Sequence, residues 1–131
     1  QELGDAIMKK ITTFFSAMLL IISLSACSSD FDGSRTGNDT QLIMEYTEFN
    51  TTDTQDLVVD AGDIIHAEIV VEDGHLSYKI QKDDEEPIAE SEGIFFSVEY
   101  DFDVEESGTY TVTVTGENAK GSVKFVVESA E

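Results

Sequence analysis

Cysteine, proline, tryptophan and positive charge are all scarce in this chain. Of 131 residues one is cysteine, one proline and none tryptophan, and seven Lys and Arg stand against 28 Asp and Glu. With Cys27 alone, no intramolecular disulfide can form, so an apolar core has to hold the fold. Phosphate backbones are bound by Lys and Arg. From Cys27 onward only Arg35, Lys79, Lys82, Lys120 and Lys124 remain, which argues against nucleic acid as a partner. The same imbalance repels anionic headgroups and rules out polybasic attachment to a membrane. Catalytic signatures are missing too. There is no Gly-x-Ser-x-Gly elbow, P-loop, His-Glu-x-x-His or Cys-x-x-Cys, and the two histidines, His66 and His75, stand apart. The chain is not expected to be an enzyme, nor to need a cofactor.

What is present begins with Met8-Lys9-Lys10, a short basic start, followed by an uncharged run from Ile11 to Ala26. That run is shorter than the roughly 20 apolar residues of a membrane span. A basic start, an apolar stretch and small residues before a cut site describe a secretory signal peptide. Initiation at Met8 is the simpler reading, because Glu2 and Asp5 put acid where a signal peptide wants base. Leu24-Ser25-Ala26-Cys27 resembles the lipobox of bacterial lipoproteins. The resemblance implies cleavage after residue 26 and diacylation of Cys27. Acyl chains on Cys27 would then hold the protein outside the cytoplasm, on the outer leaflet of the cell membrane or on an outer membrane. Cleavage removes two residues of each sign, so the mature chain keeps the formal charge of −21.

Residues 27–40 are expected to form the lipidated cysteine and a flexible tether, since Ser28 to Thr40 is polar and aperiodic with one large apolar residue. Residues 41–131 are expected to form one domain, and there the apolar residues recur at every second position, the period of a strand. Tyr110, Val112 and Val114 alternate with threonines, and Ile65, Ala67, Ile69 and Val71 alternate likewise. So do Leu76, Tyr78 and Ile80, then Ile94, Phe96, Val98, Tyr100 and Phe102, and then Val123, Phe125 and Val127. Leu42, Met44 and Tyr46 open the domain, and Leu57 with Val59 makes a weaker strand. Glu72-Asp73-Gly74 reads as a tight hairpin turn. Ala61-Gly62-Asp63, Ser91-Glu92-Gly93 and Gly116-Glu117-Asn118 read as breaks between further runs, and Pro87 as part of a loop or the start of an edge strand. The fold class that follows is all-β: a single antiparallel β-sandwich of about seven or eight strands. Glu106-Ser107-Gly108-Thr109-Tyr110-Thr111-Val112 resembles the tyrosine-corner segment of immunoglobulin-like domains, with Val112 where that family has cysteine. The stretch from about Val58 to Val127 is also similar to GOLD-type jelly-roll sandwiches.

Two acidic clusters are candidate calcium ligands, because hard cations gather carboxylate oxygens. They are Asp101, Asp103 and Glu105 in one strand, and Asp83 and Asp84 at a charged turn. Asp101 to Glu105 departs from an EF-hand loop, with Glu106 in place of glycine and Val112 in place of the bidentate acid. Ile64, Val70, Phe95 and Val126 fall on the expected solvent faces and would make a partner surface if gathered together. The leading functional reading is a membrane-anchored binding or interaction module at the cell envelope, meeting an envelope protein or extracellular ligand. The alternative is an accessory subunit docking through a sheet edge or face, and a calcium-binding module ranks third.

Overall fold

The computed structural model describes residues 30–129, so the signal peptide and the lipidation expected at Cys27 lie outside the described residues. Seven strands follow one another: β1 (Phe31–Asn38), β2 (Gln41–Phe49), β3 (Thr52–Val59), β4 (Ile64–Lys82), β5 (Ala89–Ile94), β6 (Val98–Asp103) and β7 (Gly108–Glu128). All pairings are antiparallel. Strands β4 and β7 run side by side from Ile64↔Glu128 to Lys82↔Tyr110 and bend together at mid-length. One half of this pair is flanked by β2 and β6, with β1 beyond β2; the other half is flanked by β3 and β5. Two layers result, and both share the same central strands.

The bend corrects the reading of two turns. Glu72-Asp73-Gly74 is no hairpin and Gly116-Glu117-Asn118 is no break, because β4 and β7 pass straight through them. Between Val71 and Asp73, β4 carries one residue too many for its partner; between Glu117 and Lys120, β7 carries the compensating one. Such bulges bend a strand and sharpen its twist. Gly74 (φ 75°) and Asn118 (φ 49°) supply the left-handed backbone that the corner demands. Each extra residue also resets the alternation. Ile65, Ala67 and Ile69 are buried on one side of the bend and Leu76, Tyr78 and Ile80 on the other, all within one core. Ser91-Glu92-Gly93 is likewise a bulge inside β5. Ala61-Gly62-Asp63 is the turn between β3 and β4, as expected, and Pro87 lies in the loop between β4 and β5.

Two further expectations are overturned. The segment read as a tether is β-structure from Phe31, paired along its whole length with β2. Phe31 joins an aromatic cluster with Tyr46 and Phe49, at ring separations of 6.3 and 5.8 Å. Arg35 crosses from β1 to β3, where its Nε donates to Asp53 at 2.7 Å and its guanidinium also donates to the Thr54 carbonyl at 2.9 Å. Asn38 closes the hairpin by accepting from the Thr40 amide at 2.9 Å. Hydrogen bonds and one anchoring ring therefore hold β1, and neither produces an apolar period. The second correction concerns residues 94–102. The chain leaves the ladder at Phe95 to Ser97 to change layers, so Phe96 is exposed rather than buried; Tyr100, opposite Ala67 in the edge strand β6, keeps its place in the ladder but is 45% exposed.

The core combines both halves of β4 and β7 with β2, β3, Ile94 and Val104, and among the described residues no polar or charged one is buried in it. Tyr78 from one layer meets Phe125 and Phe102 of the other at 5.8 and 6.2 Å, contacts that cross the sandwich. The tyrosine corner forms as anticipated: Tyr110 is buried and its hydroxyl donates to the Glu106 carbonyl at 2.7 Å.

Candidate functional site

Two groups of side chains stand out on the surface, one assembled by strand pairing and the other by adjacent residues in the link between β5 and β6. The first surrounds His66, on the outer face of β4. Antiparallel register sets Asp101 of β6 opposite His66 and Glu99 opposite Glu68. Alternation places Glu68, two residues on from His66, on the same face. The imidazole Nδ1 lies 2.5 Å from Asp101 Oδ1, while Nε2 lies 3.1 Å from Glu99 Oε2 and 3.7 Å from Glu68 Oε2. Glu68 and Glu99 would repel each other as opposed like charges; the imidazole between them, and Lys124 at 3.9 Å from Glu68, offset this. The hydrogen bond that the ring donates to Asp101 raises the His66 pKa above its ordinary 6.5. Burial works against that rise, and the charges of Asp101, Glu128 and Glu99 add to it.

Among the described residues, the clusters with enough close-set ligand atoms for a metal ion both contain His66. Of the calcium candidates only Asp101 joins them. Asp103 sits opposite Ile64 at the end of β6. Glu105 follows the buried Val104 and lines, with Asp103, a hollow where Lys82 already meets Glu85 at 3.5 Å and Glu106 at 3.8 Å. Asp83 and Asp84 form the turn after β4, Asp83 with φ 50°. The structure does not bring these acids together around a common point. His75, the other histidine, stands at the bend, 6.2 Å from the Phe95 ring.

That ring belongs to the second group. Phe95 and Phe96 are 68% and 55% exposed, with ring centroids 5.3 Å apart and planes at 90°. Their short link is pinned at both sides: the Val71 amide donates to Ser97 Oγ at 3.2 Å, and the Gly93 amide to Ser77 Oγ at 3.0 Å. Two large apolar rings are thus presented to solvent from an anchored backbone. A shallow groove lined by Glu68, Val70, Ser97 and Glu99 runs from this corner to the His66 cluster. Of the four outward apolar residues expected, Val70 and Phe95 share this region and are exposed, whereas Ile64 and Val126 are half-buried. Alternation identified Phe95 as outward. The exposure of Phe96 required knowing that the ladder is interrupted there.

No family model and no curated protein matches the chain. Among solved structures, the pre-peptidase C-terminal domain of a collagenase from Bacillus anthracis is similar with a TM-score of 0.51 and 18% identity, over 71% of this chain and 91% of that one. A periplasmic inhibitor of g-type lysozyme from Aeromonas hydrophila gives a TM-score of 0.46 and 13% identity, over 77% and 89% of the two chains. A carbohydrate-binding module of a Cellvibrio mixtus lichenase gives 0.42 and 10%, over 79% and 89%. At such identities the first likeness establishes the fold alone: the chain is an all-β sandwich.

Proposed function

We propose that this chain is a non-enzymatic binding module, held outside the cytoplasm by lipid on Cys27, that meets its partner through the Phe95–Phe96 corner. The exposure of two adjacent, backbone-anchored phenylalanines carries the reading. Large rings bury much area at little cost in side-chain entropy, which suits them to contact surfaces. A formal charge of −21 adds a preference for a partner with a basic rim around an apolar patch. A photo-reactive residue at position 95 in the native host should give one discrete adduct, weakened by raised salt, and the same residue at the exposed Thr109 should give none. Phe95→Ser with Phe96→Ser should remove the partner without lowering the melting temperature. Equal adducts from both positions, or none from 95, would reject the corner as the contact.

The anchor has its own test. Cys27→Ser should leave the protein unprocessed or released from membranes, and the wild-type N-terminal peptide should carry acyl chains by mass spectrometry. An unmodified Cys27 in membrane-derived protein would remove the lipoprotein reading and leave the corner untouched.

A further inference from the structure

The two sides of the His66 ring are not equivalent. At Nδ1 the Asp101 oxygen is 2.5 Å away, a short charge-assisted hydrogen bond with no room for an ion between the atoms. At Nε2 the spacing is wider, 3.1 Å to Glu99 and 3.7 Å to Glu68, and the three ligand atoms lie within 4.8 Å of one another. Two ligands each 2.0–2.1 Å from a tetrahedral zinc stand roughly 3.3 Å apart, which falls between those two distances. A carboxylate holding the far N–H of a histidine is also the usual support of a metal-bound imidazole, because it fixes the tautomer and aims the free nitrogen. We propose that His66 Nε2, Glu68 and Glu99 form a binding site for a divalent transition metal of the zinc class, with Asp101 as the positioning residue and a fourth position open to water or to a partner's side chain.

The donor set selects against calcium and magnesium, which prefer oxygen alone, whereas imidazole suits zinc and its neighbours. His66 is also the feature that separates this place from the rest of the acidic surface, since the acids at Asp83, Asp84, Asp103 and Glu105 have no histidine among them. All three ligands come from paired strands and not from a loop, so their spacing is set by the ladder. Lys124, 3.9 Å from Glu68 and half exposed, has solvent to move into and need not block the metal.

The test uses the full-length chain stripped of metal, with zinc alone as the probe, followed by calorimetry and by the melting temperature. Zinc should raise the melting temperature well beyond magnesium at matched ionic strength. His66→Gln should weaken zinc binding at least tenfold. Asp101→Asn should weaken it about 10–100-fold, the usual effect of losing such a support. Nitrogen NMR of the ring should show a protonated Nδ1 and a zinc-shifted Nε2 in the wild type, and a mixture of tautomers in Asp101→Asn, a change that loss of packing alone would not produce. Asp83→Asn with Asp84→Asn should leave affinity unchanged. If His66→Gln does not fold, Glu99→Gln replaces it, since Glu99 is 63% exposed, and the same tenfold loss is expected. Zinc held no more tightly than magnesium, or held by His66→Gln and Glu99→Gln as tightly as by the wild type, would overturn the site.

Discussion

Truncating Tyr110 to alanine should cost about 3–5 kcal/mol in denaturant unfolding, as removal of a large buried ring does. Tyr110→Phe, which deletes only the hydroxyl bonded to the Glu106 carbonyl, should cost about 0.5–1.5 kcal/mol. Thr111, on the opposite face, donates to Asp56 at 2.8 Å, and Thr111→Ala should cost less than half of the Tyr110→Ala value. Similar costs at 110 and 111 would show the register of β7 to be wrong. His66 behaves differently, because its contribution depends on pH. Its folded pKa is raised above the ordinary 6.5 by Asp101, so the imidazolium stabilises the fold fully below that value. This contribution is lost as pH rises through the folded pKa. With chelator present, the melting temperature of wild type should therefore exceed that of His66→Gln at pH 5.5, and the gap should close as pH rises. A gap independent of pH would mean that His66 is not paired as described. The alternation of Ile65 and Ala67 already puts His66 on the outer face of its strand. It could not tell that Glu99 and Asp101 arrive beside it, because that depends on the β4–β6 register across more than thirty residues of chain.

Among the elements, β1 was the least legible and the first half of β7 the most. The ladder Tyr110, Val112, Val114 is a direct consequence of burying one face of a strand, and it appears in the structure unchanged. In β1 every residue after Phe31 is exposed, so no such face exists, and glycine at 33 and 37 reads as coil. Gly33 is required by closeness: a side chain there would overlap the Glu45 backbone across the pair. The Arg35 clamp gives this element its own test. Arg35→Ala should speed amide exchange through β1 while leaving exchange in the middle of β7 unchanged; uniform acceleration would mean that β1 is integral to the core. The corner residues looked like turn signals because left-handed glycine serves hairpins and bulges equally. Gly74→Ala meets both a positive φ and the Asn118 carbonyl, and should cost more than about 1 kcal/mol. Asn118→Gly, which relieves the same kind of backbone, should be near neutral.

Over the whole molecule, a formal charge of −21 makes self-repulsion the long-range electrostatic force to reckon with. Salt should raise the melting temperature steadily, and calcium, magnesium and ionic-strength-matched sodium should differ little. A calcium-selective rise, abolished by Asp101→Asn with Asp103→Asn, would restore those acids as ligands. The sharing of β4 and β7 between the layers has a consequence for the order in which the fold can be acquired. Strand β7 is the last of the described strands, yet β2 and β3 both find their inner neighbour in it, and its pairing closes loops as long as Gln41 to Val126. Closing such loops is slow, and no contact rewards it until the far strand is available. A nascent chain cut off before Gly108 thus has no centre around which either layer can assemble. Until β7 is available only local pairs can form, β1 with β2 and β4 with β5 and β6, and the two halves of the sandwich have nothing to join them.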